Sequence, residues 1–169
     1  MALRKIRVEG DEILVKKSKP IKEMTPRILE LIEDMKDTMR NENGAGIAAV
    51  QVGVLKQVFL VDVNAGNPEL GEEIKVFINP EILEMSGKVQ DLEGCLSVPG
   101  QTGIITRAQK IKMKYLDENM AEQELVAEDF YAKALQHEYD HLQGILYNTK
   151  ADATNLTDEE IEHFLKSKR

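Results

Sequence analysis

The chain has no tryptophan, only four phenylalanines and four tyrosines, and a single cysteine in 169 residues. A core so poor in rings must be filled by Ile, Leu, Val and Met. One thiol, Cys95, excludes an internal disulfide and suits a reducing compartment, and its presence then needs another explanation. No apolar run is long enough to span a bilayer, and the opening MALRKIRVEGDEIL has no apolar stretch after its early charges. A cytoplasmic protein with no membrane partner is therefore expected. Positive charge is also scarce: a formal net charge of -8 argues against direct DNA binding, which usually needs a basic face. No repeat, low-complexity tract or linker interrupts the chain, and its length suits one domain spanning residues 1–169.

What is present reads as a mixture of helix and strand. The segment TPRILELIEDMKDTMRNENG begins with a capping Thr25 and Pro26 at the first helical position, and carries Ile28, Leu31, Ile32, Met35 and Met39 on one face. This predicts an amphipathic helix. Asn43-Gly44-Ala45-Gly46 follows, where two glycines permit tight backbone geometry, and then QVFLVDV (57–63) reads as a strand. A second strand, IKVFIN, is expected to end at Asn79-Pro80. Shorter β-prone stretches recur near 82–84, 103–106, 111–115 and 122–126. From about Glu128 the period becomes helical, through Phe130, Ala134, Leu135 and Leu142, with Gly144 as the stop. Thr157-Asp158-Glu159-Glu160 announces a last short helix with Ile161, Phe164 and Leu165 on one side. The fold class expected is α+β, with mostly antiparallel sheet elements around a central helix.

That central helix carries His137-Glu138-Tyr139-Asp140-His141, an H-E-x-x-H pattern. Residues four apart lie one turn above each other, so both imidazoles can reach one ion while Glu138 sits beside it, placed to take a proton from water. Two ligands are too few for a hydrolytic site, which usually has three from the protein. Three candidates for the third can be compared. A histidine further along, in the H-E-x-x-H-x-x-G-x-x-H pattern, fails because the last position is Tyr147. A downstream carboxylate, Glu160 or Glu162, would make the chain resemble a zinc endopeptidase, although capping already accounts for that acidic run. The third candidate is Cys95, a soft ligand for iron(II) or zinc, though a lone cysteine is more often a small buried hydrophobe. A non-catalytic metal-binding module is a further alternative, against which Glu138 speaks.

Three segments together resemble the peptide deformylase family: Gly44-Ala45-Gly46-Ile47-Ala48-Ala49-Val50-Gln51, Glu93-Gly94-Cys95-Leu96-Ser97 and Gln136-His137-Glu138-Tyr139-Asp140-His141-Leu142. They stand in the family's order, and the likeness runs between them through Asn79-Pro80, Arg107 and Asp11 to Leu14. The resemblance implies removal of the formyl group from the N-terminal formylmethionine of nascent polypeptides, with release of formate. It implies Cys95, His137 and His141 as ligands of one divalent ion, Fe2+ natively, with Zn2+, Ni2+ or Co2+ as substitutes. Glu138 becomes the acid and base, and the Gln51 amide with the Leu96 N–H steadies the formyl oxygen. The backbone at Gly46 and Ile47 matches the edge along which substrate lies. Phe130, Ala134 and Ile47 are expected to line a slot for the methionine side chain, unless they are simply core. Glu93 is expected to be a structural charge pairing with Arg107. Some family members dock on the ribosome near the exit tunnel through a longer basic tail than Lys166-Ser167-Lys168-Arg169.

Overall fold

The computed structural model describes residues 2–168. Met1 and Arg169, which belong to the expected 1–169 domain and to the basic tail, lie outside the described residues. Helix α1 covers Pro26–Asn41, with the Thr25 side chain accepting from the Ile28 N–H at 3.2 Å, as the capping pattern requires. Strands β1 (Gly46–Ala48), β2 (Val58–Asp62), β3 (Ile74–Ser86), β4 (Val89–Cys95), β5 (Val98–Arg107), β6 (Lys110–Leu116) and β7 (Glu122–Glu128) follow. Helix α2 spans Asp129–Leu142, a single turn α3 covers Tyr147–Lys150, and α4 covers Asp158–Ser167 behind the expected Thr157 capping box.

One sheet has the order β1-β2-β3-β6-β7 and every pairing in it is antiparallel; β4 and β5 form a separate hairpin. The five-stranded sheet has its central part covered on both faces. Along β2, Phe59 and Val61 point into the cluster around α2, while Val58 and Leu60 point into the cluster around α1. This explains why VFLV is apolar at every position instead of alternating. With so few rings, three of them gather across neighbouring strands: Phe59 stacks on Phe77 at 5.0 Å, and Phe77 meets Tyr115 at 4.6 Å between centroids. Aliphatic and Met side chains fill most of the remainder, Met35 and Met39 being buried beneath α1, with Tyr147 a further fully buried ring.

Several local expectations need correction. Strand β3 does not stop at Asn79-Pro80 but continues to Ser86, with a register shift between Ile78 and Glu81. Pro80 has no N–H for the ladder, and the irregularity absorbs that loss. Asn79 takes a φ of 49° and bridges to the N-terminal segment, accepting from the Ile21 N–H at 2.8 Å and donating to the Ile21 carbonyl at 2.7 Å. The glycines at 44 and 46 are not needed for a left-handed turn. Gly46 is an edge-strand residue whose missing side chain leaves room for Glu138. Strand β4 and the α3 turn escape the pattern reading altogether, and Leu165 is exposed although Phe164 beside it is buried.

Replacing Asn79 with Ala removes both hydrogen bonds to Ile21 and places a residue less suited to φ of 49° in the bend. A loss of roughly 2 kcal/mol is expected, read from urea unfolding. Thr157→Ala, which removes only the α4 cap, is expected to cost about 1 kcal/mol.

Candidate active site

Helix α2 lies against β1, β2, β6 and β7 and buries His137, Glu138 and His141 on the side that faces the β4–β5 hairpin. Cys95 stands at the end of β4, where the hairpin register slips between Glu93 and Cys95. The slip brings the thiol toward the helix. Cys95 Sγ lies 3.4 Å from His141 Nε2, which in turn lies 3.2 Å from His137 Nε2. A tetrahedral ion with Zn–N of about 2.0 Å and Zn–S of about 2.3 Å requires N···N near 3.3 Å and S···N near 3.6 Å. The spacing found is close to that triangle. Among the described residues, Cys95, His137 and His141 form a cluster whose ligand atoms all lie within 4.8 Å of one another. Glu160 and Glu162 instead line a groove beside α4 with His163, and Tyr147 places its ring 6.1 Å from that of His137.

A buried charge network holds these side chains in place. Glu93 Oε2 lies 2.6 Å from His137 Nδ1, so this nitrogen carries the proton and Nε2 keeps its lone pair for an ion. Arg107 donates to both Glu93 oxygens, from Nε at 2.9 Å and Nη2 at 2.7 Å, and from Nη1 to Asp140 at 3.0 Å. The expected Glu93–Arg107 pair is thus present, whereas its extension to His137 and Asp140 is not readable from spacing. Burial raises the Glu93 carboxyl, but the hydrogen bonds from His137 and Arg107 outweigh it and hold the group at about 2. Glu138 has the opposite fate. Burial pushes it up to about 7, against the pull of the neighbouring His137, and its Oε1 has no hydrogen-bond partner among the described residues.

Gln51 is buried in a short 3-10 turn, Ala49–Val52. Its Oε1 accepts from the Ala48 N–H at 2.9 Å, which orients Nε2 toward Ser97 Oγ at 3.1 Å and Cys95 Sγ at 3.7 Å. Gly46, Leu96, Phe130 and Ala134 line a cavity of about 370 Å³ together with Cys95, His137 and Glu138. Ile47 does not line it. Its side chain is fully buried in the cluster beneath α1, because successive residues of β1 face opposite sides of the sheet. Its backbone at this position pairs with Leu60 of β2. Lys133, overlooked in the sequence, does line the cavity; it lies one turn before His137 on α2, and that spacing was the available signal.

An α+β fold with H-E-x-x-H on a buried helix, and a candidate third ligand on a neighbouring hairpin, is that of a metal-dependent hydrolase. The profile of the polypeptide deformylase family matches residues 3–156. Peptide deformylase 1 of Clostridium perfringens is 51% identical over 147 residues, covering 87% of this chain and 97% of the relative. The crystal structure of class I type b peptide deformylase from Acinetobacter baumannii superposes with a TM-score of 0.83 at 36% identity, over 89% of this chain and 99% of that one. Its Met-Ala-Ser-bound form gives 0.82 at 36% identity, over 88% and 98%. The chain belongs to the polypeptide deformylase family, whose reaction is removal of the formyl group from N-formylmethionine peptides.

Arg107 is the one cation that Glu93 and Asp140 share inside the protein. Arg107→Leu should cost about 3–5 kcal/mol, measured by urea unfolding, and loosen metal binding by about 10–100-fold. Because the Glu93 pKa is depressed, its stabilisation is present above the ordinary 4.5 and is lost as pH falls toward about 2. Unfolding measured through that window should show the loss in the natural chain, and Glu93→Gln should remove that group's contribution.

Proposed function

We propose that the chain works as one catalytic domain in which Cys95, His137 and His141 hold a divalent ion and Glu138 moves the proton of formyl hydrolysis. The observation that carries this reading is the triangle of ligand atoms beside Glu138 on the wall of a cavity large enough for a side chain. One thiolate with two imidazoles suits Fe2+, the ion proposed as native, and equally accommodates Zn2+, Ni2+ or Co2+. When bound, such an ion polarises the formyl oxygen and lowers the pKa of water toward neutrality.

The residues then divide the work. The N–H and C=O of Gly46 point off the sheet edge, since Ala45 and Ile47 hold the positions that pair with β2. A peptide can pair there as an added strand. Its first side chain enters the cavity against Phe130, Ala134 and Leu96. As the formyl carbon is attacked, negative charge grows on its oxygen, and the Gln51 amide and Leu96 N–H stabilise it. Glu138 takes the proton from the attacking water and delivers it to the leaving amine, a role suited to a carboxyl whose pKa is about 7. The substrates are N-formylmethionyl nascent peptides, met in the cytoplasm close to the ribosome exit tunnel. No helix of the described residues is long and apolar enough to cross a membrane, and the net charge of -8 gives no general affinity for DNA.

Formate release from formyl-Met-Ala-Ser, before and after chelation, tests the activity. Glu138→Gln should keep stoichiometric metal while kcat falls by about 10²–10⁴. Cys95→Ala should lose the metal; full retention of it, combined with loss in Glu160→Gln, would instead support the endopeptidase arrangement.

A further inference from the structure

Along α2, Phe130, Lys133, Ala134 and His137 recur at helical spacing, and all four line the cavity. Lys133 does not fit the rest. The glycine, alanine, leucine and phenylalanine of the lining suit an apolar side chain, and its acidic residues, Glu93 and Glu138, stand beside His137. A lysine near a surface ordinarily extends its charge into water. This one is turned inward, with its side chain 18% exposed. Nζ donates to the Leu92 carbonyl at 2.9 Å, lies 3.6 Å from an Asp91 carboxylate oxygen and 5.3 Å from the centre of the Phe130 ring.

These contacts fix the ammonium without exhausting it. It has three N–H donors. The Leu92 carbonyl takes one, and the approach to Asp91 is longer than an ordinary hydrogen bond. Donor capacity therefore remains at the cavity wall. The thioether sulfur of methionine is a weak acceptor and gains little from such a donor, whereas an amide or sulfoxide oxygen gains a charge-assisted hydrogen bond. An anionic side chain is less suitable, since Glu138 lines the same cavity and Asp91 stands beside the ammonium.

We infer that Lys133 is a specificity-determining residue. Through its free N–H it admits formyl peptides whose first side chain has the length of methionine and ends in a neutral acceptor, such as methionine sulfoxide or glutamine. The inference rests on the reading that this cavity receives the substrate's first side chain. It adds a class of substrate to methionine itself.

The test uses the metal-loaded natural chain, Lys133→Met and Lys133→Arg. Formate release is followed from formyl-Met-Ala-Ser, its methionine sulfoxide form, and the norleucine form that replaces sulfur by CH2. The readout is the ratio of kcat/KM for sulfoxide over norleucine within each preparation, which does not depend on the fraction of active enzyme. Lys133→Met should lower the ratio about tenfold or more, as loss of a hydrogen bond to a charged donor requires. Lys133→Arg should keep most of it. An equal ratio in the natural chain and Lys133→Met, with the methionine peptide turned over normally by the natural chain, overturns the role of Lys133 alone. Failure of the natural chain to hydrolyse the methionine and norleucine peptides overturns the underlying reading of the cavity.

Discussion

The buried guanidinium of Arg107 is the point on which the site's geometry turns. It stands at the end of β5, reaches Glu93 on β4 with two hydrogen bonds and Asp140 on α2 with a third, and so ties the hairpin to the helix. Without that tie, Cys95 on the hairpin would have to keep register with His137 and His141 on the helix unaided. Burying a cation and two carboxylates is costly, and only near-complete hydrogen bonding makes it sustainable. Lys150 completes the balance by approaching Asp140 at 3.2 Å from the half-exposed side. The same network then reaches the candidate metal cluster, because Glu93 also takes the Nδ1 proton of His137.

The sheet provides the second constraint. β2 is buried on both faces, so α1 and α2 are held on opposite sides of it and cannot exchange roles. The edge strand β1 is carried along with β2, and this brings the backbone of Gly46 against Glu138. A Cβ on Gly46 would come within 2.8 Å of Glu138 Oε2. The glycine is therefore demanded by a contact made across more than ninety positions of sequence. Likewise, Gly144 does more than end α2 with its φ of 77°, since a Cβ there would meet the Val15 carbonyl oxygen at 2.6 Å.

This distinction between local and distant demands explains what could be read from the residues in advance. The caps of α1 and α4, the helical spacing of His137 and His141, and the apolar run of β2 are local, and each is legible. The α+β class and the helix at its centre follow from them. The continuation of β3 through Pro80 is not legible, because it depends on Asn79 bonding to Ile21. Nor is strand β4, whose residues VQDLEGC have little β-branched character and gain their order from pairing with β5. Cys95 lies between these cases. Its place beside His141 depends on a register slip in that hairpin, so helical spacing alone left it one candidate among several, and the family resemblance distinguished it.

Two glutamates near one site show how environment, not residue type, divides the roles. Glu93 and Glu138 are both buried, yet one is held at about 2 and the other is pushed up to about 7. The difference is the supply of donors. Glu93 receives two from Arg107 and one from His137, so its charge is permanent and serves to orient. Glu138 has an oxygen with no hydrogen-bond partner among the described residues, and lies against the backbone of Gly46, close to the negative charge of Glu93. A carboxyl in that setting exchanges its proton near neutrality, which a proton carrier must do and an orienting anion must not. The division rests on Arg107 as well as His137: once that cation is withdrawn, Glu93 keeps only the His137 donor to hold its charge, and the acceptor that fixes the His137 tautomer is less firmly ionised.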